Sequence, residues 1–141
     1  MQYDNEYAFP VNEIPELQKE DSPLRSRVEE SLGIRLPDDY IAFASHHDGE
    51  GGFWGESYVQ LIPVDQLKTT NDYMLIDEFY PGLLVFATDG AGELYAFDKR
   101  ADPMPIVQVP TVGSLKDLIE CGRTFGDFLS YLKRGGIQSL F

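Results

Sequence analysis

The chain has 141 residues, of which 43% are hydrophobic and 13% aromatic, a size and composition typical of one globular domain rather than a disordered chain. A net charge of -13 opposes binding to nucleic acid or anionic membranes and favours basic partners. The single cysteine excludes an intramolecular disulfide, and neither a signal peptide nor a membrane span is recognisable. We therefore expect one soluble, cytoplasmic domain over residues 1–141.

The N-terminal part predicts an irregular lead-in followed by a helix. Residues 1–21 mix prolines with acidic residues and predict at most a short helix around Ile14–Lys19. The first clear helix is predicted over Ser22–Leu32, because leucine and valine recur there every four residues. Ser22 is a suitable N-cap, and Gly33 supplies the left-handed stop.

A second helix is predicted to begin at Pro37 and to end before the Asp48-Gly49 pair. Glu50–Glu56 contains three glycines and the only tryptophan, Trp54, and we interpret it as a glycine-rich loop. A short strand follows at Tyr58–Ile62, where β-branched and aromatic residues are enriched.

The second half alternates strands with turns. A helical turn or two is predicted over Pro63–Thr70, and strands Leu83–Thr88 and Glu93–Asp98 are joined by an Asp-Gly-Ala-Gly turn. Ile106–Val109 lies between two prolines, which predicts an edge strand. A final helix is predicted over Thr124–Lys133. Helices first, strands in the middle and a helix at the end predict an α+β fold.

Three segments share the spacing of a known family signature. Residues 32–43, LGIRLPDDYIAF, resemble the pattern LG-x-x-LP-x-x-Y-x-x-F, residues 89–98 resemble a central hairpin, and residues 124–129, TFGDFL, resemble a closing S/T-F-x-x-F-L helix. Together they resemble the SUKH superfamily, also called the SMI/KNR family, over roughly residues 22–133. The resemblance implies an α+β fold with a mostly antiparallel sheet and helices packed against it.

The resemblance also implies a binding function. Bacterial members of the family are regarded as immunity proteins that neutralise toxins, many of them nucleases or deaminases, and fungal members are regulatory interaction proteins. No signature residue is catalytic in the family. We therefore expect no catalytic residue, no metal and no cofactor. The leading hypothesis is a protein that occludes the active site of a basic toxin domain, and a regulatory scaffold is the alternative.

Structural roles compete with enzyme and metal chemistry at the two histidines, the acidic loop and the cysteine. His46 and His47 are adjacent on a predicted helix, so their imidazoles diverge and do not readily bind one ion. The acidic residues and glycines of residues 48–56 do not have the spacing of a calcium-binding loop. Cys121 would need one of the histidines as a base to act in a small hydrolase, and a buried thiol is the simpler interpretation.

The middle of the chain is the candidate partner-binding region. Residues 41–98 contain ten acidic residues and only one basic residue, Lys68, whereas residues 99–141 contain six basic and four acidic residues. Acidity that serves solubility alone is the competing interpretation. Within this region two segments place acids beside aromatics, and Trp54 is either a core residue or an exposed anchor. The predicted contact residues are Glu50, Trp54, Glu56, Asp77, Glu78 and Tyr80.

Overall fold

The computed structural model describes residues 9–136, in which six antiparallel strands lie side by side in chain order. Helices pack against this sheet, which confirms the predicted α+β fold. The strands are β1 (Gly51–Trp54), β2 (Ser57–Leu61), β3 (Leu83–Thr88), β4 (Glu93–Asp98), β5 (Ile106–Pro110) and β6 (Ile119–Gly122). The α-helices of the described residues are α1 (Pro23–Leu32), α2 (Asp38–His47), α3 (Leu67–Tyr73), α4 (Ile76–Phe79) and α5 (Phe125–Lys133).

The first helix has the ends that its sequence predicts. The Ser22 hydroxyl accepts a hydrogen bond from the Arg25 amide at 3.1 Å, and Gly33 ends the helix with φ +71°. The Glu29 carboxylate then accepts from the Leu36 amide at 2.7 Å. This bond ties the end of α1 to the segment that leads into α2.

The signature segments meet in one aromatic cluster on the sheet. Tyr40 of α2, Phe86 of β3, Phe97 of β4 and Phe125 and Phe128 of α5 are all buried. Phe86 and Phe97 stack with centroids 4.5 Å apart, and Tyr40 meets Phe97 edge-on at 5.2 Å. Such pairs add about 0.5–1.5 kcal/mol each beyond the burial of their area. The signature residues therefore hold α2 and α5 on one face of the sheet.

The predicted loop over Glu50–Glu56 is instead part of a β-hairpin. Its residues pair with β2 from Gly51 opposite Gln60 to Trp54 opposite Ser57. The loop prediction was wrong because glycine lowers local strand propensity, and only pairing with β2 compensates for it.

The predicted edge position of β5 is also wrong. This strand pairs with β4 on one side and with β6 on the other, so β1 and β6 are the edges of the sheet. The two prolines remain compatible because they lie at its ends: Pro105 accepts a hydrogen bond from the Asp98 amide, and Pro110 lies opposite Glu93. The four-residue strand β6 was not predicted.

One buried amide connects α3 to the sheet. The side chain of Asn71 accepts from the Val85 amide and donates to the Val85 carbonyl, both at 2.8 Å. These bonds lie at the β-bulge between Val85 and Ala87, on the side of β3 that β2 leaves open. Asn71 thus satisfies both backbone hydrogen-bonding groups of Val85 and attaches α3 to β3.

The N-terminal lead-in is described only in part, since residues 1–8 lie outside the described residues. Residues 9–14 are irregular apart from a bridge between Asn12 and His47, and a 3-10 helix follows at Pro15–Gln18. Residues 137–141 also lie outside. In the stretch from 9 to 136, none of the helices has the length and apolarity needed to cross a membrane.

Candidate partner-binding surfaces

Trp54 lies on the side of the hairpin that faces the helices. Its ring meets Phe43 edge-on with the ring centroids 5.1 Å apart, and the ring centroids of Phe9 and His47 lie 6.0 and 6.1 Å away. The ammonium of Lys133 lies 5.4 Å from the ring centroid, which is cation–π distance. Trp54 is half-buried, and its indole N–H is buried without a hydrogen-bond partner among residues 9–136. The ring therefore fastens β1 to α2 and α5.

The exposed aromatics of the hairpin are Phe53 and Tyr58. They lie opposite each other in the register, and their rings meet at 5.6 Å and 77°. Successive residues of a strand point to opposite faces, so Phe53 faces away from Trp54. The loop prediction hid this alternation, which is why the predicted contact residues include Trp54 and neither Phe53 nor Tyr58. We call Phe53, Glu56 and Tyr58 the hairpin surface.

The two acids of the hairpin differ in their surroundings. Glu56 is exposed in the turn, whereas Glu50 is half-buried and its carbonyl accepts from the Leu61 amide at 2.9 Å. The turn itself requires glycine at position 55, where φ is +66° and a Cβ would lie 2.5 Å from the Lys133 Cα. The turn is therefore pressed against the end of α5, and Glu56 projects beside it.

The second predicted segment lies on α4 and divides into exposed and buried residues. Asp77, Glu78 and Phe79 are exposed, the last by 56%. Tyr80 is only 1% exposed, and its hydroxyl donates a short hydrogen bond to the Pro110 carbonyl. Tyr80 is therefore corrected from a contact residue to a core residue, because its ring and hydroxyl are both used inside the fold.

Two exposed apolar residues, Tyr73 and Leu75, lie just before α4 and were not predicted. Lys68, the one base of this region, is ion-paired to Asp72 at 2.7 Å and so does not offset the acids of α4. We call Tyr73, Leu75, Asp77, Glu78 and Phe79 the corner surface. The available sequence signal was the density of large apolar residues around two adjacent acids.

Asp48 has a structural role at the base of the hairpin. Its carboxylate accepts a hydrogen bond from the Val64 amide at 2.7 Å, which ties the residues before β1 to the residues after β2. Burial raises the pKa of Asp48 above its ordinary value, and the nearby charges of Asp65 and Glu50 raise it further. An asparagine side-chain oxygen at this position could accept the same bond.

The surroundings of Cys121 do not suit a nucleophilic cysteine. Its thiol is buried beside Gln108, whose carbonyl oxygen already accepts from the Tyr131 hydroxyl at 2.7 Å. Burial raises the pKa of the Cys121 thiol to about 12, so it stays protonated at neutral pH. A protonated, enclosed thiol is a poor nucleophile and a suitable core residue.

The histidines point to different partners. His46 lies 3.4 Å from a Glu13 carboxylate oxygen, and His47 Nδ1 is hydrogen-bonded to the Pro10 carbonyl oxygen at 2.8 Å. The ring of His47 is packed against Phe43. Across the described part of the chain, no group of three or more His, Cys, Asp or Glu side chains is placed to hold a metal ion.

A comparison with known families gives one match. The model of the SMI1 / KNR4 family (SUKH-1) matches residues 26–131, from within α1 to within α5, and the match includes both surfaces. Among curated proteins, no relative matches the chain.

Proposed function

The chain belongs to the SMI1 / KNR4 family (SUKH-1), and from that premise we propose that it is an immunity protein that binds a cognate toxin and occludes its active site. The observation that carries the proposal is the charge of the middle region, where ten acids accompany a single lysine. That lysine is already ion-paired. The remaining acids leave a surplus of negative potential on this part of the molecule.

A basic toxin active site is the natural complement of such a surface. Nucleases bind phosphates and therefore hold clusters of lysine and arginine in their clefts. An acidic protein is steered to such a cleft, which raises the association rate by about one to three orders of magnitude at low salt. Exposed aromatics beside the acids supply apolar area once the two proteins meet.

Several features support a binding role over a catalytic one. The only thiol is buried and protonated, and both histidines are engaged with separate partners. The residues of the family signature serve the aromatic core. We place the protein's action in the cytoplasm, where a single thiol without a disulfide partner stays reduced.

The test is co-expression with the product of the gene adjacent to that of this chain, which we expect to contain a toxin module. We expect the chain to restore viability to cells expressing the module, to co-purify with it and to inhibit its enzymatic activity at a 1:1 ratio. A nuclease module from an unrelated toxin is the control and should be neither bound nor inhibited. Binding without inhibition would favour a regulatory scaffold, and failure to bind or protect would refute the immunity function.

A further inference from the structure

The corner surface contains an unusual concentration of exposed apolar side chains. Tyr73, Leu75 and Phe79 are 88%, 51% and 56% exposed, and they lie within a stretch of seven residues. Single exposed apolar residues are ordinary, but several together mark contact sites in soluble proteins. Asp77 and Glu78 are exposed between them on the chain.

Leu75 is the most informative of the three because its backbone is strained. Its φ and ψ are +56° and +41°, and it is the only residue other than glycine with positive φ among residues 9–136. Leucine in this left-handed conformation is disfavoured, whereas glycine and asparagine adopt it readily. Backbone preference therefore does not account for a leucine at position 75.

The fold uses the backbone of Leu75 fully and buries its side chain only in part. The Leu75 amide donates to the Asp72 carbonyl oxygen at 3.1 Å, and its own carbonyl accepts from the Glu78 and Phe79 amides at 3.0 and 3.1 Å. Any residue able to adopt the conformation would make these bonds. Since half of the leucine side chain remains exposed, burial gives only partial compensation for the strain. Strained residues of this kind occur often at binding sites.

We propose that Tyr73, Leu75 and Phe79 form the centre of the surface that contacts the toxin, and that the occupant is a toxin segment with an apolar side chain flanked by lysine or arginine. This inference rests on the proposed function. The apolar side chain packs among the three residues, and the flanking bases pair with Asp77 and Glu78.

A second copy of the chain is a poor occupant of the same surface. In a symmetric dimer the same patch contacts itself, which would bring Asp77 and Glu78 close to their own copies. Like charges brought together in this way cost free energy, and the whole chain carries -13. Charge complementarity therefore favours a basic partner over self-association.

The decisive experiment compares Leu75→Asn with Val11→Asn. Val11 is a matched control because it is also an exposed aliphatic residue, 61% exposed, in the N-terminal segment next to α2. The dissociation constant for the purified toxin module from the adjacent gene and the melting temperature are measured for both variants. Leu75→Asn should weaken binding by about tenfold or more while the melting temperature stays the same or rises. Val11→Asn should change neither.

Phe79→Ser provides a second variant that does not depend on backbone strain. It should also weaken binding by about tenfold or more and leave the melting temperature within a few degrees of the wild type. If both variants bind the module like the wild type, the corner assignment is overturned and the immunity function stands. If the wild type fails to bind the module, the proposed function itself fails. A free protein that is dimeric in sedimentation, and becomes monomeric with Phe79→Ser, would also overturn the assignment.

Discussion

The hairpin and the corner share a sequence pattern but expose different sets of side chains. Each places acids within a few residues of two large aromatics, Phe53 and Trp54 in the hairpin and Phe79 and Tyr80 in the corner. In the hairpin the second aromatic packs against α2 and α5, and in the corner the second aromatic is buried with its hydroxyl bonded to Pro110.

The difference lies in the aromatics that stay outside. The hairpin leaves Phe53 and Tyr58, each 38% exposed and in edge-to-face ring contact. The corner leaves three side chains, Tyr73, Leu75 and Phe79, each more exposed than the hairpin pair. They lie at the ends of two short helices, and the backbone of Leu75 is strained. Acids beside aromatics in a sequence are therefore a weak guide to an interface, and exposure must be known for each ring separately.

The largest effect should come from replacing Tyr80, in contrast to its exposed neighbour Phe79 in the corner. Tyr80→Ala should lower the free energy of unfolding by about 3–5 kcal/mol, because it removes a buried ring and leaves a carbonyl without its donor. Phe79→Ala should change it by less than about 1 kcal/mol, since that ring is mostly exposed. Urea denaturation of both variants measures the contrast, and equal losses would show that the corner is packed differently.

Trp54 should contribute to stability more than to binding. Trp54→Ala should cost about 2 kcal/mol, less than a fully buried ring, because Trp54 is only half-buried. Trp54→Phe should recover most of this loss, since phenylalanine keeps an aromatic ring against Phe43 and lacks the buried indole N–H. Both variants are compared by thermal and urea denaturation. A Trp54→Phe variant that keeps its stability but loses toxin binding would place Trp54 in the interface.

Neutralising the acids should show which surface steers association. Replacing Glu50, Glu56, Asp77 and Glu78 together by their amides should lower the association rate with the toxin module by about tenfold at low salt and weaken its salt dependence. Asp77→Asn with Glu78→Gln should account for more of this loss than Glu50→Gln with Glu56→Gln, because Glu50 is half-buried. Stopped-flow association at several salt concentrations tests this. A rate indifferent to salt and to all four changes would place the interface elsewhere.

Asp48 should make stability depend on pH at the base of the hairpin. The pKa of its folded form is raised above the ordinary value of 3.8, so the folded state binds the proton more tightly than the unfolded state. The stabilisation from this proton is complete below the unfolded pKa and is lost as pH rises through the folded pKa. Asp48→Asn does not titrate and should gain stability relative to the wild type over that range. Urea denaturation between about pH 4 and pH 7 measures the difference, and a constant difference would contradict the prediction.

The smallest effect should follow from removing the potential catalytic groups. Cys121→Ser, and His46→Ala combined with His47→Ala, should leave protection of cells against the toxin unchanged, since a binding protein needs neither thiol nor imidazole chemistry. Thermal denaturation of each variant controls for folding. Loss of protection by a variant that remains folded would contradict the expectation that the protein acts by binding alone.

Local features of the sequence were sufficient to predict most of the elements. The N-cap Ser22 and the glycine at position 33 defined α1, and the Asp-Gly-Ala-Gly turn defined β3 and β4, whose bounds match the prediction. The signature residues predicted the family and the α+β fold. These predictions succeeded because caps, turns and periodic apolar residues act over a few neighbouring residues.

Tertiary pairing decided the features that bear most on function. Strand β1 forms despite its glycines because β2 pairs with it, and β5 is internal because the unpredicted strand β6 covers its far side. Likewise, only the packing of α3 and α4 against the sheet determined that Tyr80 is buried while Leu75 and Phe79 are exposed. By itself the sequence determined most of the elements, the family and the acidic charge. Which aromatics remain available to a partner depends on contacts between distant segments, and neither local propensity nor composition contains that information.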